Sequence, residues 1–314
     1  MDPEGCNGVQ ADDPKKRDRG SNHRPDGQGR IMRIGNAPCS WGINYPTGNR
    51  LTWTQYLDEV AAAGYRGTEL GPFGFFPKDA AVVSDALAQR GLEMIGATHV
   101  HTFGALDELP ALIITLRELA GLLRQLGARH LVIMDESNWY PPGHEGELDE
   151  AQWKGLVAAV REAQRVIEQE FGLKASFHPH VGTAVEREPQ IDRLLAETDI
   201  DLCFDTGHHA FWGQDPLAYM QKVWDRIAYV HLKNVDPAVR KEVLEGRLSI
   251  ADSYGAGVMC PLPDGAVDIA AIIRLLEERN FTGPVVVEQD LSDNAVESPE
   301  QLARRNLQYL AAAA

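Results

Sequence analysis

The sequence predicts a single closed (β/α)8 barrel, one domain over residues 31–314, and three observations point to it. Eight short apolar runs recur along the chain, and a stretch of helical period follows each of them. Strand–helix alternation of this kind means parallel strands joined by crossover helices. No Gly-x-Gly-x-x-Gly follows the first run, which counts against an open dinucleotide-binding sheet.

In order, the strands are expected at residues 31–37, 67–70, 92–97, 130–134, 174–178, 200–204, 227–231 and 285–288. The first helix, 53–63, closes on Gly64, and the second, 80–90, on Gly91. Glycine just past the last turn is the left-handed cap position, where a side chain would be strained. Helices follow at 106–126, 148–171, 189–197 and 216–226, the first two of these closing on Gly127 and Gly172. The last pair is 269–278 and 299–311. The loop 255–265 is rich in Gly and Pro and longer than a minimal connection needs, which suits a lid or an oligomer contact. Residues 1–30 carry almost no large apolar side chains and are expected to be a disordered N-terminal extension.

Bulk properties narrow the function classes. Forty-six acidic against 30 basic residues give a net charge of -16. Phosphate binding needs a basic face, so nucleic acid is excluded as the main partner. No apolar run reaches the ~18 residues of a membrane span, and no signal-peptide core is present. Four cysteines, Cys6, Cys39, Cys203 and Cys260, form no CxxC pair and no disulfide framework, so reduced thiols in a cytoplasmic protein are expected.

Active sites of α/β barrels lie where the strands end at their carboxyl side. Seven of the ten histidines fall there: His99, His101, His178, His180, His208, His209 and His231. His130 instead starts its strand and is read as packing. Strand five ends His178-Pro179-His180, and residues two apart on a strand face one way. Strand six delivers Asp205, strand seven His231 and strand eight Glu288. One such residue caps a helix or pairs with arginine more often than it binds a metal. Four on successive strands would carry a heavy desolvation cost without a cation among them. Imidazole and carboxylate donors suit Mn²⁺, Co²⁺, Fe²⁺, Mg²⁺ or Zn²⁺, with no obvious thiolate. Cys203 is read as core packing. Glu69 ends strand two beside an aromatic Gly/Pro loop, as a pocket carboxylate or a structural one. Asn36 and Trp41 flank strand one, and Trp41 offers a stacking face for a sugar or a loop-packing ring. Lys233 lies two residues past His231, to hold a substrate oxygen or to pair with Asp236 or Glu288.

The segments Asn36-Ala37-Pro38-Cys39-Ser40-Trp41-Gly42, Gly67-Thr68-Glu69-Leu70-Gly71, His178-Pro179-His180-Val181-Gly182-Thr183, Asp205-Thr206-Gly207-His208 and His231-Leu232-Lys233 resemble those of the xylose isomerase-like barrels, the sugar phosphate isomerase/epimerase superfamily. Within it the chain is most similar to the inosose (2-keto-myo-inositol) dehydratases. The resemblance covers residue 31 to the end, and its motifs are more specific for the superfamily than for the reaction.

It implies one divalent metal, usually Mn²⁺ or Co²⁺, with Asp205, His231 and Glu288 at ligand positions and His208 at a substrate-contacting one. The epimerases place a glutamate on strand five as a ligand and second proton-transfer group. Here that position is His178, and His180 is the alternative ligand. The loss of one carboxylate favours a lyase that needs one base and one acid. The implied reaction is dehydration of a cyclic keto-polyol through a metal-stabilised enediolate. Glu69, His180, His208 and Glu288 are the candidate acid and base groups, and Lys233 and His101 would hold substrate oxygens. Alternatives are aldose–ketose isomerisation or 3-epimerisation, β-elimination of a 3-keto glycoside, and a sugar-binding barrel without turnover. Barrels of this kind commonly form dimers or tetramers, so a homo-oligomer acting on a small polyhydroxylated substrate is expected.

Overall fold

A computed structural model describes residues 34–136 and 147–313, so the extension expected over residues 1–30 lies outside the described part. Eight parallel strands close into a barrel: β1 (Ile34–Asn36), β2 (Gly67–Glu69), β3 (Glu93–His101), β4 (His130–Asp135), β5 (Lys174–Phe177), β6 (Asp201–Asp205), β7 (Ile227–Leu232) and β10 (Val285–Val287). Each strand pairs with its neighbour in the series, and β10 pairs with β1 to shut the ring. The expected (β/α)8 barrel is therefore present, and most strand limits fall within a few residues of expectation. The exception is β3, which runs on to His101 because Thr98–His101 stay in register with Val132–Asp135.

The outer helices are α1 (Trp53–Ala63), α2 (Ala80–Arg90), α3 (Leu109–Gln125), α4 (Glu150–Arg165), α5 (Glu188–Glu197), α7 (Pro216–Lys222), α10 (Ile269–Glu278) and α11 (Pro299–Ala313). Their starts are chemically marked. Thr52 and Gln55 form a reciprocal capping box on α1, and Asp149 and Gln152 do the same on α4. The turn Val166–Glu170 continues α4 as a π-helix, so the single expected helix over 148–171 is a helix with a widened last turn. Among the described residues no helix is long and apolar enough to cross a membrane.

Five elements escape the strand–helix alternation. A short helix α6 (Thr206–Phe211) starts on the residue after β6. After β7 the chain forms an antiparallel ribbon, β8 (Asn234–Val235) with β9 (Met259–Cys260), enclosing α8 (Pro237–Leu244) and α9 (Ile250–Gly255). The expected loop over 255–265 thus begins as the end of a helix and one strand of a ribbon. These pieces are too short to show a hydrophobic period.

The lumen explains which strand residues meet at the rim. Ala37, Val132, Cys203, Tyr229 and Val286 pack together as an inner layer, with Ile95 beneath. Ile95 fits because β1 and β2 carry glycine opposite it. A methyl on Gly35 or Gly67 would lie 2.1 Å or 2.4 Å from its Cδ1. With the two-residue strand period, the same inward rows then raise Glu69, His178, Asp205, His231 and Glu288 above this apolar layer. Asn36 falls on the opposite parity.

At the end of β4, buried Asp135 accepts hydrogen bonds from the Phe103 amide at 2.9 Å and the Ala184 amide at 3.4 Å, tying two rim loops together. Burial pushes its carboxyl up to about 6 from 3.8, although the two amides pull the other way. A raised folded value means that the stabilising contribution is full below the unfolded value and lost as pH rises through about 6. Asp135→Asn keeps the 2.9 Å acceptor and cannot ionise. Relative to wild type it is expected to gain about 2 kcal/mol of stability between pH 4.5 and pH 7. Urea unfolding of both proteins at the two pH values checks this. A pH-independent difference would refute it.

Candidate metal centre and active site

Asp205, the last residue of β6, uses its two carboxylate oxygens differently. Oδ1 caps α6 by accepting from the amides of Gly207 and His208, both at 2.8 Å. Oδ2 is buried with no hydrogen bond and points at the lumen, 3.9 Å from His231 Nδ1 and 3.7 Å from Lys233 Nζ. Glu288, one residue past β10, brings Oε2 to 3.0 Å from His231 Nδ1 and 3.9 Å from His178 Nε2. Its Oε1 accepts from the Cys39 thiol at 3.3 Å.

Donor atoms of His178, Asp205, His231 and Glu288 all lie within 4.8 Å of one another. These are the four residues expected from the strand ends. The geometry brings His178, not His180, into this cluster. His178, Cys203 and His231 form a second such group, but burial pushes the Cys203 thiol up to about 12, so it stays protonated and a poor ligand.

The donor set fits a cation. Asp205 Oδ2 is a buried acceptor without a hydrogen bond, and leaving such a group bare is expensive, while Glu288 Oε2 faces it across His231 Nδ1 and Lys233 Nζ. His231 Nε2 meets Glu69 Oε1 at 2.9 Å. A carboxylate takes the Nε2–H of the imidazole, so Nδ1, which meets Glu288 Oε2 at 3.0 Å, is the nitrogen that a cation would claim. This carboxylate–histidine pairing behind a ligand is how metal sites fix ring orientation. Glu69 Oε1 also accepts from the Tyr229 hydroxyl at 2.7 Å. Glu69, expected as an acid or base, is buried and occupied by these two donors, and its geometry is that of a group that positions His231. Tyr229 is a participant that sequence reasoning misses. Its inward parity, two residues before His231, is the signal that would have found it.

Against His178 lie two further imidazoles, His180 and His208, with centroids 3.8 Å apart and planes tilted by 43°. His180 Nδ1 lies 2.8 Å from the Val181 carbonyl, so that nitrogen carries the proton and Nε2 keeps a lone pair. His208 carries its proton on the same nitrogen but has its other edge engaged. Lys233 Nζ donates to its Nε2 at 2.9 Å, which leaves the proton on a buried Nδ1 with no partner. Burial holds both rings neutral, pushing His180 down to about 4 and His208 well below the usual histidine range.

Lys233 is itself buried, between Glu288 Oε2 at 3.1 Å and Asp290 Oδ2 at 2.9 Å. Burial works against its charge, but Asp290, Glu288 and Asp205 together hold its pKa well above the ordinary lysine value. Of the two roles read from sequence, pairing with Glu288 is present. Asp236 instead caps α8.

Three expected substrate contacts have other partners in the structure. Asn36 is fully buried beside the Tyr65 phenol, on the outward side of β1 between inward Gly35 and Ala37. That parity is the physical reason it does not line the lumen. Trp41 is 6% exposed, stands edge-on to Tyr56 and donates its indole N–H to Glu59 at 2.7 Å, so it builds the wall and offers little stacking face. His101 ends β3, stacked over His99 at 6.2 Å and facing Glu108 at 3.6 Å. Of the other rim histidines, His209 turns outward onto Phe204 and Tyr219.

Comparison with known proteins gives three kinds of likeness. Residues 57–313 match the model of the xylose isomerase-like TIM barrel family. An inosose dehydratase of Clostridium beijerinckii is 30% identical over 299 residues, covering 89% of this chain and 96% of that protein. The rhizopine catabolism protein MocC of Rhizobium meliloti is 33% identical over 291 residues, covering 85% and 88%. Among solved structures, the IOLI protein with a bound zinc atom superposes with a TM-score of 0.69 at 14% identity, covering 90% of this chain and 98% of that one.

Proposed function

The chain belongs to the xylose isomerase-like TIM barrel family, and from that premise we propose that its rim site is a dehydratase centre for a cyclic keto-polyol such as 2-keto-myo-inositol. The inosose dehydratases among its relatives support the substrate class. The observation that carries the reaction type is the pair His180 and His208, two neutral imidazoles in contact beside His178, one with a lone pair free and the other with a proton free. An epimerase needs two groups that each take and return a proton. An elimination needs one base and one acid, and these rings present one of each.

His178, Asp205, His231 and Glu288 would hold one divalent ion, Mn²⁺ or Co²⁺, which supplies Lewis acidity toward a substrate carbonyl when bound. His180 Nε2 removes the proton next to that carbonyl, and the C–H electron pair enters the enolate. His208 Nδ1 then delivers its proton to the β-hydroxyl, which leaves as water while the C=C bond forms. Lys233 hands a proton to His208 Nε2 across their 2.9 Å contact, so the ring never becomes an imidazolate. The step ends with His180 protonated, Lys233 neutral and the His208 proton on Nε2; one proton passed through solvent from His180 to His208 Nδ1, with the Nε2 proton returned to Lys233, resets all three. Glu288 is held as a carboxylate well below the usual range by Lys233 and His231, against the effect of burial, which suits a ligand better than an acid.

Both rings pack against the same ligand candidate, His178, at 5.6 Å and 5.4 Å, so proton removal and hydroxyl departure are expected from one face of the substrate. The test is product absorbance after adding 2-keto-myo-inositol and Mn²⁺ to the purified protein. Elimination yields a conjugated enol-dione and a rising ultraviolet band. Turnover without that band would mean isomerisation or epimerisation and would overturn the dehydratase reading, and absence of turnover would favour a binding barrel.

A further inference from the structure

Tyr254 belongs to α9, in the excursion between β7 and α10 that the alternating pattern did not foresee. Its ring packs against the main core, yet its hydroxyl is buried with no hydrogen-bond partner. The end of α9 is fastened to the segment that follows β10: the Asp293 amide donates to the Gly255 carbonyl at 3.2 Å, and a methyl on Gly255 would lie 2.8 Å from Asp293 Oδ2. That segment includes Asp290, the partner of Lys233. The charges acting most on the phenol after burial itself are Asp290, Lys233, Asp205 and Glu288, all members of the rim site. A buried hydroxyl left unpaired costs about 1–3 kcal/mol. Among the described residues nothing recovers that cost. A substrate hydroxyl placed beside Lys233 would.

Resting on the dehydratase reading, we infer that the Tyr254 hydroxyl is a specificity-determining contact, which hydrogen-bonds one ring hydroxyl of the polyol on the Lys233–Asp290 side of the site. A site built to pair with a hydroxyl discriminates strongly against an analogue that lacks it, because its own polar group is then left bare. The excursion that carries α9 thus reads the hydroxyl pattern, while the strand ends supply the chemistry.

The experiment is Tyr254→Phe, measured three ways. Steady-state kinetics on the keto-inositol should show kcat/KM reduced roughly 10- to 100-fold, mostly through KM, with metal content unchanged. On one monodeoxy analogue, the two proteins should be equal. Thermal unfolding should show a Tm unchanged or raised, since the lost hydroxyl has no partner among the described residues. Equal kcat/KM on the full substrate would overturn the inference. So would a fall in Tm of more than about 5 °C, which would mean a structural hydrogen bond. Calorimetric titration with myo-inositol separates the two levels. Wild type that binds while Tyr254→Phe binds equally well sinks only this inference. Wild type that neither binds nor turns over any polyol sinks the dehydratase reading with it.

Discussion

Asp205→Asn is expected to lower turnover roughly a thousandfold and to strip the rim of its ion while leaving the barrel folded. The two oxygens of Asp205 make this separation possible. Oδ1 holds the first turn of α6 through two amides, and an asparagine oxygen can keep both bonds. Oδ2 has no hydrogen bond and is the ligand candidate, and an amide nitrogen there would point its protons at Lys233 Nζ, 3.7 Å away. Asp205→Ala would remove the cap as well, at an added cost of about 1–2 kcal/mol. Elemental analysis of wild type should find about one equivalent of metal, and of Asp205→Asn almost none, with the same circular dichroism. Metal and turnover retained by Asp205→Asn would end the rim-metal reading. Burial pushes the Asp205 carboxyl up to about 7 against the pull of Lys233. Metal uptake must then displace a proton, so affinity is expected to fall as pH drops through about 7.

How much of this was legible in the sequence follows from two periodicities. The barrel was legible because each strand is a short apolar run and each helix a longer amphipathic one. The four ligand candidates were legible because each follows directly on a buried run, where the rim must be. The parity of Asn36 was not legible. Gly35 and Ala37 point into the lumen, so Asn36 points out, and a three-residue strand, Ile34–Asn36, shows too little alternation to reveal it. The role of Glu69 was obscured for another reason. Its partners Tyr229 and His231 lie more than 150 positions away and meet it only when the barrel closes. Tyr254 was invisible because α9 has six residues and no period to read.

Lys233→Met provides the complementary test, because here a charge is lost instead of a ligand. Lys233 Nζ is the cation that Glu288, Asp290 and Asp205 share. It fits against α6 only because Gly207 has no side chain; a methyl there would lie 2.6 Å from Lys233 Cγ. Methionine fills much of the same space and removes the charge. Three carboxylates are then left facing one another in the metal-free protein, which is expected to lose about 3–5 kcal/mol of stability. A divalent ion would compensate two of them directly. The rise in Tm on adding Mn²⁺ should therefore be larger for Lys233→Met than for wild type, even though the variant is the weaker catalyst. Turnover should fall roughly 100- to 1000-fold, because His208 loses the donor behind its Nε2. Thermal unfolding with and without Mn²⁺, run beside the absorbance assay, measures both effects. If the variant were destabilised equally in the two conditions, the ion and the lysine would not be sharing the same carboxylates, and the assignment of Asp205 and Glu288 as ligands would fall. If stability recovered with Mn²⁺ but turnover did not, the lysine would be doing two separable things: balancing charge in the empty site and feeding a proton through His208 in the occupied one.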